Sequence, residues 1–157
     1  MAHTEILSPA SFTTERILKG IARLVLSVVF LAAVVGKLLD PSLFLGFVAA
    51  LFGVGTSGAK VLFLTTICLE AYLGVALLLI GQRPWTYLLS GFVFLLFAGV
   101  IGYAIVIDLE ATCGCFGAFL EAQEANPISL IRNVLMTAIA LFMAVELQNE
   151  AHTDISE

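Results

Sequence analysis

Residues 85–107 read WTYLLSGFVFLLFAGVIGYAIVI, a stretch with no charged side chain. A helix of about 20 apolar residues crosses a hydrocarbon core about 30 Å thick, so this stretch alone places the chain in a membrane. Trp85, Tyr87 and Tyr103 lie near its ends, where interfacial aromatics anchor a span. Just upstream, Gly81-Gln82-Arg83-Pro84 is a turn cluster whose proline holds the residue before it out of the helical region. It closes another apolar run, residues 61–80, and the link between the two runs is short.

Two further spans appear on moving outward. The first covers about residues 17–39, with Lys19 and Arg23 on its first turns and Lys37 on its last, basic ends that can snorkel to the surface. It reads as a retained span, because no A-x-A-like cleavage site follows it and three more apolar runs do. The last covers about residues 128–147, opened by Asn126 as helix cap and Pro127 at the first helical position. Beyond it, the polar stretch from Gln148 is expected to fray. Between the first two spans, Leu43, Phe44, Phe47, Val48, Leu51 and Phe52 recur at helical spacing over a length too short to cross, which predicts an interfacial or re-entrant helix broken by Gly53, Gly55 and Gly58. The expected fold is all-α: a polytopic membrane protein with one four-helix domain over residues 17–147, a polar N-terminal tail (1–16) and a polar C-terminal tail (148–157).

Composition agrees with this reading. Of 157 residues, 61% are hydrophobic and 12% charged, against roughly 25% charged in soluble domains. A net charge of −5 without Lys/Arg clusters leaves no footprint for nucleic acid. His3 and His152 lie in the polar tails and the three cysteines match no zinc spacing, so no metal site is assigned. Arg16, Lys19, Arg23 and Arg83 mark one side of the bundle, against Lys37, Lys60 and Arg132 on the other. By the positive-inside rule the termini are expected in the cytoplasm and the 108–126 loop outside, in a bacterial inner membrane facing the periplasm.

That loop carries Cys113-Gly114-Cys115-Phe116-Gly117. A disulfide needs α-carbons within roughly 4.4–6.8 Å, and residues two apart meet this only if the backbone bends between them, as Gly114 permits. So small a ring removes little unfolded-chain entropy and is strained, the signature of a bond that opens and closes in use. Gly114, Phe116 and Gly117 would shape the loop around the pair. The third thiol, Cys68, sits in an apolar run, read as a small buried hydrophobe with a relay role as the alternative. Glu70 falls about midway along its span, where an ionised group is costly, so it is expected to face the bundle interior with Lys37 or Arg132 as partner and to serve either helix assembly or proton and electron handling.

The order Arg23, Gly36-Lys37, Asp40-Pro41, Glu70 with Gly74, Cys-Gly-Cys-Phe-Gly and Arg132-Asn133 resembles the MauE/DoxX-like family of redox-associated membrane proteins, its MauE branch most, from about residue 17 to 145. The resemblance implies a four-helix membrane bundle working with a periplasmic thioredoxin-like partner in disulfide formation of an exported protein, for MauE a subunit of methylamine dehydrogenase. It further implies that Cys113 and Cys115 are the redox pair and that Lys37, Glu70 and Arg132 are the polar residues of the bundle. Asp108 and Glu110 stand where members often carry a basic residue, so the client is not carried over. The leading expectation is a thiol:disulfide relay that accepts electrons from the partner and passes them to a membrane acceptor such as quinone, by analogy with vitamin K epoxide reductase-like enzymes. The alternatives are a carrier of Cu(I) or Hg(II), with Cys68 and Met136 as further ligands, and a non-catalytic assembly factor whose loop disulfide shapes a docking surface.

Overall fold

A computed structural model describes residues 9–81, 83–109 and 127–153. Regular structure among them is entirely helical: α1 (Pro9–Leu39), α2 (Pro41–Phe52), α3 (Thr56–Ile80), α4 (Pro84–Val106) and α5 (Pro127–Thr153). All but α2 are long and apolar enough to cross a membrane, and the chain is a multi-pass membrane protein. The short α2 is the helix expected between the first two spans. It starts where Asp40 accepts a hydrogen bond from the Ser42 backbone N–H (3.1 Å) with Pro41 in the first turn, and it stops at Gly53, whose φ of 60° is left-handed.

The spans form two antiparallel pairs, α1 with α3 and α4 with α5. Small residues let each pair close. A Cβ on Gly74 of α3 would come within 2.8 Å of Leu31 Cδ2 and 3.4 Å of Phe30 Cβ on α1, and Ser27 donates across the same contact to the Gly74 carbonyl at 2.7 Å. On α4, Gly91 meets Leu141 and Ala140, and Gly102 meets Leu130. The two pairs join through Phe30 and Phe94, whose rings stack with centroids 4.5 Å apart. Around this stack lies one apolar cluster, with Leu26, Leu73, Leu77, Tyr87 and Met143. A second, towards the opposite end, seats Phe44, Phe47 and Val48 of α2 on Ala59, Ile101 and Ala104. Leu79, Trp85 and Val106 are more than three-quarters exposed, as side chains facing hydrocarbon are.

Several features depart from the sequence reading, among them Lys37, which is buried instead of snorkelling to the surface. Gly58 lies inside α3, not in a break: the Ala59 N–H bonds to Gly55 O at 3.0 Å, so the helix is already running there, and the missing Cβ leaves room for Val54. Tyr87 is not at an interface. It is fully buried, and its hydroxyl donates to the Gly81 carbonyl at 3.0 Å. Arg23 turns inward too: its Nε donates to Leu77 O (2.5 Å) and its Nη2 to Leu78 O. Arg23 and Tyr87 thus supply partners to carbonyls that a helix end cannot satisfy itself. The stretch from Gln148 to Thr153 continues α5 instead of fraying, because Glu146 and Glu150, one turn apart, both face Lys19 of α1 (3.6 and 2.5 Å).

Gly74→Val should lower the stability of the detergent-solubilised protein by about 1–3 kcal/mol, since the added atoms enter a closed helix contact. Gly99→Val, at a position with no atom within 4 Å of an added Cβ, is the control and should cost well under half of that in the same denaturation measurement.

Candidate functional site

The interior polar centre is built on α1 and α3. Lys37, in the last turn of α1, and Glu70, beyond the middle of α3, are each 1% exposed. The ammonium donates to both carboxylate oxygens, at 2.7 Å to Oε1 and 3.0 Å to Oε2. Phe44 of α2 and Phe97 of α4 place their ring centroids 5.6 Å from Lys37 Nζ, a distance at which the ring face still attracts a cation. From α5, Asn133 borders the same spot and Arg132 lies within electrostatic range of Lys37. A cavity of about 10 Å³, lined by Phe30, Ala33, Lys37, Glu70, Phe97 and Asn133, is at the lower limit for one water molecule. All five helices therefore contribute to the surroundings of a single ion pair.

Of the two partners expected for Glu70, the structure gives it Lys37; Arg132, half-buried on α5, acts electrostatically on Lys37. Cys68 is not buried. It is exposed on the outer face of α3, because two residues of an α-helix turn through about 200°, and an inward Glu70 puts Cys68 on the far side. Cys113, Gly114, Cys115, Phe116 and Gly117 lie outside the described residues. Among the described residues no group of three or more His, Cys, Asp or Glu converges as a metal site would require.

The chain leading to those cysteines leaves α4 through a defined cap. Asp108 has a φ of 51°, the Asp108 N–H bonds to Ile105 O (3.2 Å) and the Leu109 N–H reaches back to Ala104 O (3.0 Å). This is the left-handed helix ending in which two terminal carbonyls are satisfied at once, accompanied by a hydrophobic contact from the residue after the left-handed one. Leu109 makes that contact, against the α2 cluster. Aspartate is among the few side chains that tolerate the conformation.

Sequence reasoning passed over a polar stripe on α5. Ser129, Asn133 and Thr137 are all buried; Asn133 Nδ2 donates to Ser129 O (2.8 Å) and Thr137 Oγ1 to Asn133 O (2.9 Å). Their spacing of four within an apolar span was the available signal, since polar side chains at that period in a membrane helix turn towards its neighbours.

A family model described as "Methylamine utilisation protein MauE" matches residues 15–146. The chain belongs to the MauE family. No curated protein and no solved structure matches it. The stretch shared with the MauE family takes in the four spans, the Lys37–Glu70 pair and the loop between α4 and α5.

Removing one member of a buried ion pair strands the other charge. Lys37→Met and Glu70→Leu should each destabilise the protein by about 3–5 kcal/mol, whereas the double variant should recover most of that loss. A double-mutant cycle from unfolding in mixed micelles measures the coupling directly.

Proposed function

We propose that this MauE-family chain is the membrane component of a thiol:disulfide relay whose working groups are Cys113 and Cys115. The observation that carries the reading is the Cys-Gly-Cys-Phe-Gly string itself, two thiols on either side of the most flexible residue, in the segment that joins two membrane helices. Membership of the MauE family supports it. The chain belongs in the bacterial inner membrane with its termini in the cytoplasm, so that the Cys loop meets the periplasm, where disulfide exchange operates. The partner is a thioredoxin-like protein of that compartment, and the relay supports disulfide formation or maturation of exported proteins.

In the forward direction a thiolate of the partner attacks the Cys113–Cys115 disulfide, forming a mixed disulfide and releasing one loop thiolate. The partner's second thiolate then resolves the mixed bond, which leaves the partner oxidised and both loop cysteines reduced. A membrane quinone returns the pair to the disulfide by taking two electrons and two protons to become a quinol. In this reading Lys37 and Glu70 hold the five helices in register, Arg132 on α5 adds positive charge near Lys37, and Cys68, facing outward on α3, takes no part.

A Cys113→Ser or Cys115→Ser variant leaves a single loop thiol that cannot be resolved internally. Expressed with candidate periplasmic thioredoxin-like partners whose second, resolving cysteine is replaced by alanine, it should accumulate a partner adduct on non-reducing gels that disappears on reduction. The Cys113→Ser/Cys115→Ser double variant should show none. Absence of any thiol-dependent adduct from either single variant overturns the relay.

A further inference from the structure

The seam between α1 and α5 is closed at one end and open along its side. At the end near the chain termini, Lys19 is held by Glu150 at 2.5 Å, with Glu146 3.6 Å away. Further along the seam the two helices diverge around a groove of about 400 Å³, walled by Ile21, Ala22 and Val25 of α1 and by Ile139, Phe142 and Met143 of α5. Ile21 and Phe142 are more than half exposed, so the groove opens to the outside of the bundle.

Its dimensions and its mouth identify what it takes. From Lys19 to Val25, and from Glu146 to Ile139, is about 10 Å of helix, so the groove averages about 40 Å² in section. A slot of that size holds a hydrocarbon chain. The mouth is polar and lies near the outer limits of the α1 and α5 spans (Arg16–Leu39 and Pro127–Glu150), at the level of lipid headgroups. Lys19 and Glu146 both line it, and Lys19 is the cation that both acidic side chains share. Glu146 accepts no hydrogen bond among the described residues, because Lys19 stays 3.6 Å away and gives its short contact to Glu150. A partly exposed carboxylate with free lone pairs, beside an ammonium and above an apolar slot, matches a headgroup that carries an N–H donor next to a phosphate.

We infer that the α1–α5 groove is a binding site for an aminophospholipid of the phosphatidylethanolamine class, with an acyl chain in the groove, its ammonium donating to Glu146 and its phosphate accepting from Lys19. This site is separate from the thiol pair and stands whether or not the relay does.

The test uses the full chain in nanodiscs of phosphatidylcholine doped with equal fractions of phosphatidylethanolamine and phosphatidylglycerol, released into native mass spectrometry. Phosphatidylcholine is the informative competitor because it keeps the phosphate and the positive charge but has no N–H to donate. Wild-type protein should retain phosphatidylethanolamine about tenfold over phosphatidylcholine after correction for mole fraction, the ratio expected from one hydrogen bond to a charged group. Glu146→Gln, which leaves the Lys19–Glu150 contact in place, should bring that preference close to one. Ala22→Leu, which fills the groove floor and spares the mouth, should reduce retention of every lipid several-fold. Equal retention of the two zwitterionic lipids by wild type overturns the assignment. So does a preference for phosphatidylglycerol, a preference unchanged in Glu146→Gln, or a protein dimer that covers the groove.

Discussion

An ammonium and a carboxylate deep in a hydrocarbon-facing bundle are tolerable only together, and the rest of this structure is arranged around keeping Lys37 and Glu70 in contact. Desolvating two ions costs several kcal/mol each even after relaxation, and their attraction offsets this only with good geometry and satisfied neighbours. Here the geometry is two-pronged, the rings of Phe44 and Phe97 flank the cation, and Asn133 closes the remaining side. The pair lies between the two apolar clusters, so any sliding of α1 against α3 would disturb both clusters as well as the ion pair.

The same logic governs the polar groups elsewhere in the bundle. Arg23 and Tyr87 satisfy the last carbonyls of α3, Ser27 bonds to the Gly74 carbonyl, and the α5 stripe bonds back along its own helix. Among the described residues no buried side-chain nitrogen or oxygen is left without a partner. In a solvent that offers no hydrogen bonds, an orphaned group costs several kcal/mol. The turn between α3 and α4 can be short because α1 and α4 supply what its backbone lacks.

Much of this fold was legible in the sequence. Apolar run length and the placement of Lys, Arg and Pro gave four membrane helices and the short α2, since both signals are local. The depth of Glu70 required a partner, but which cation met it depended on how α1 and α5 register against α3, information that no single segment contains. Tyr87 was misread for a related reason: a tyrosine at a helix start suits the interface equally well until a neighbouring carbonyl claims its hydroxyl. The ordered end of α5 depends on Lys19, 131 positions away from Glu150, and the left-handed Asp108 belongs to a cap that leaves no compositional trace. The cysteine string was the plainest chemical signal in the chain.

The crossing of partners between α1 and α3 bears on how the protein reaches its membrane. Lys37 and Arg23 emerge from the ribosome with the first helix, while Glu70 and the carbonyls of Leu77 and Leu78 come a full span later. A lone lysine or arginine released into lipid is penalised by a few kcal/mol on translocon-insertion scales. The arrival of α3 supplies partners for both cations, which favours entry of α1, α2 and α3 into the bilayer as a hairpin.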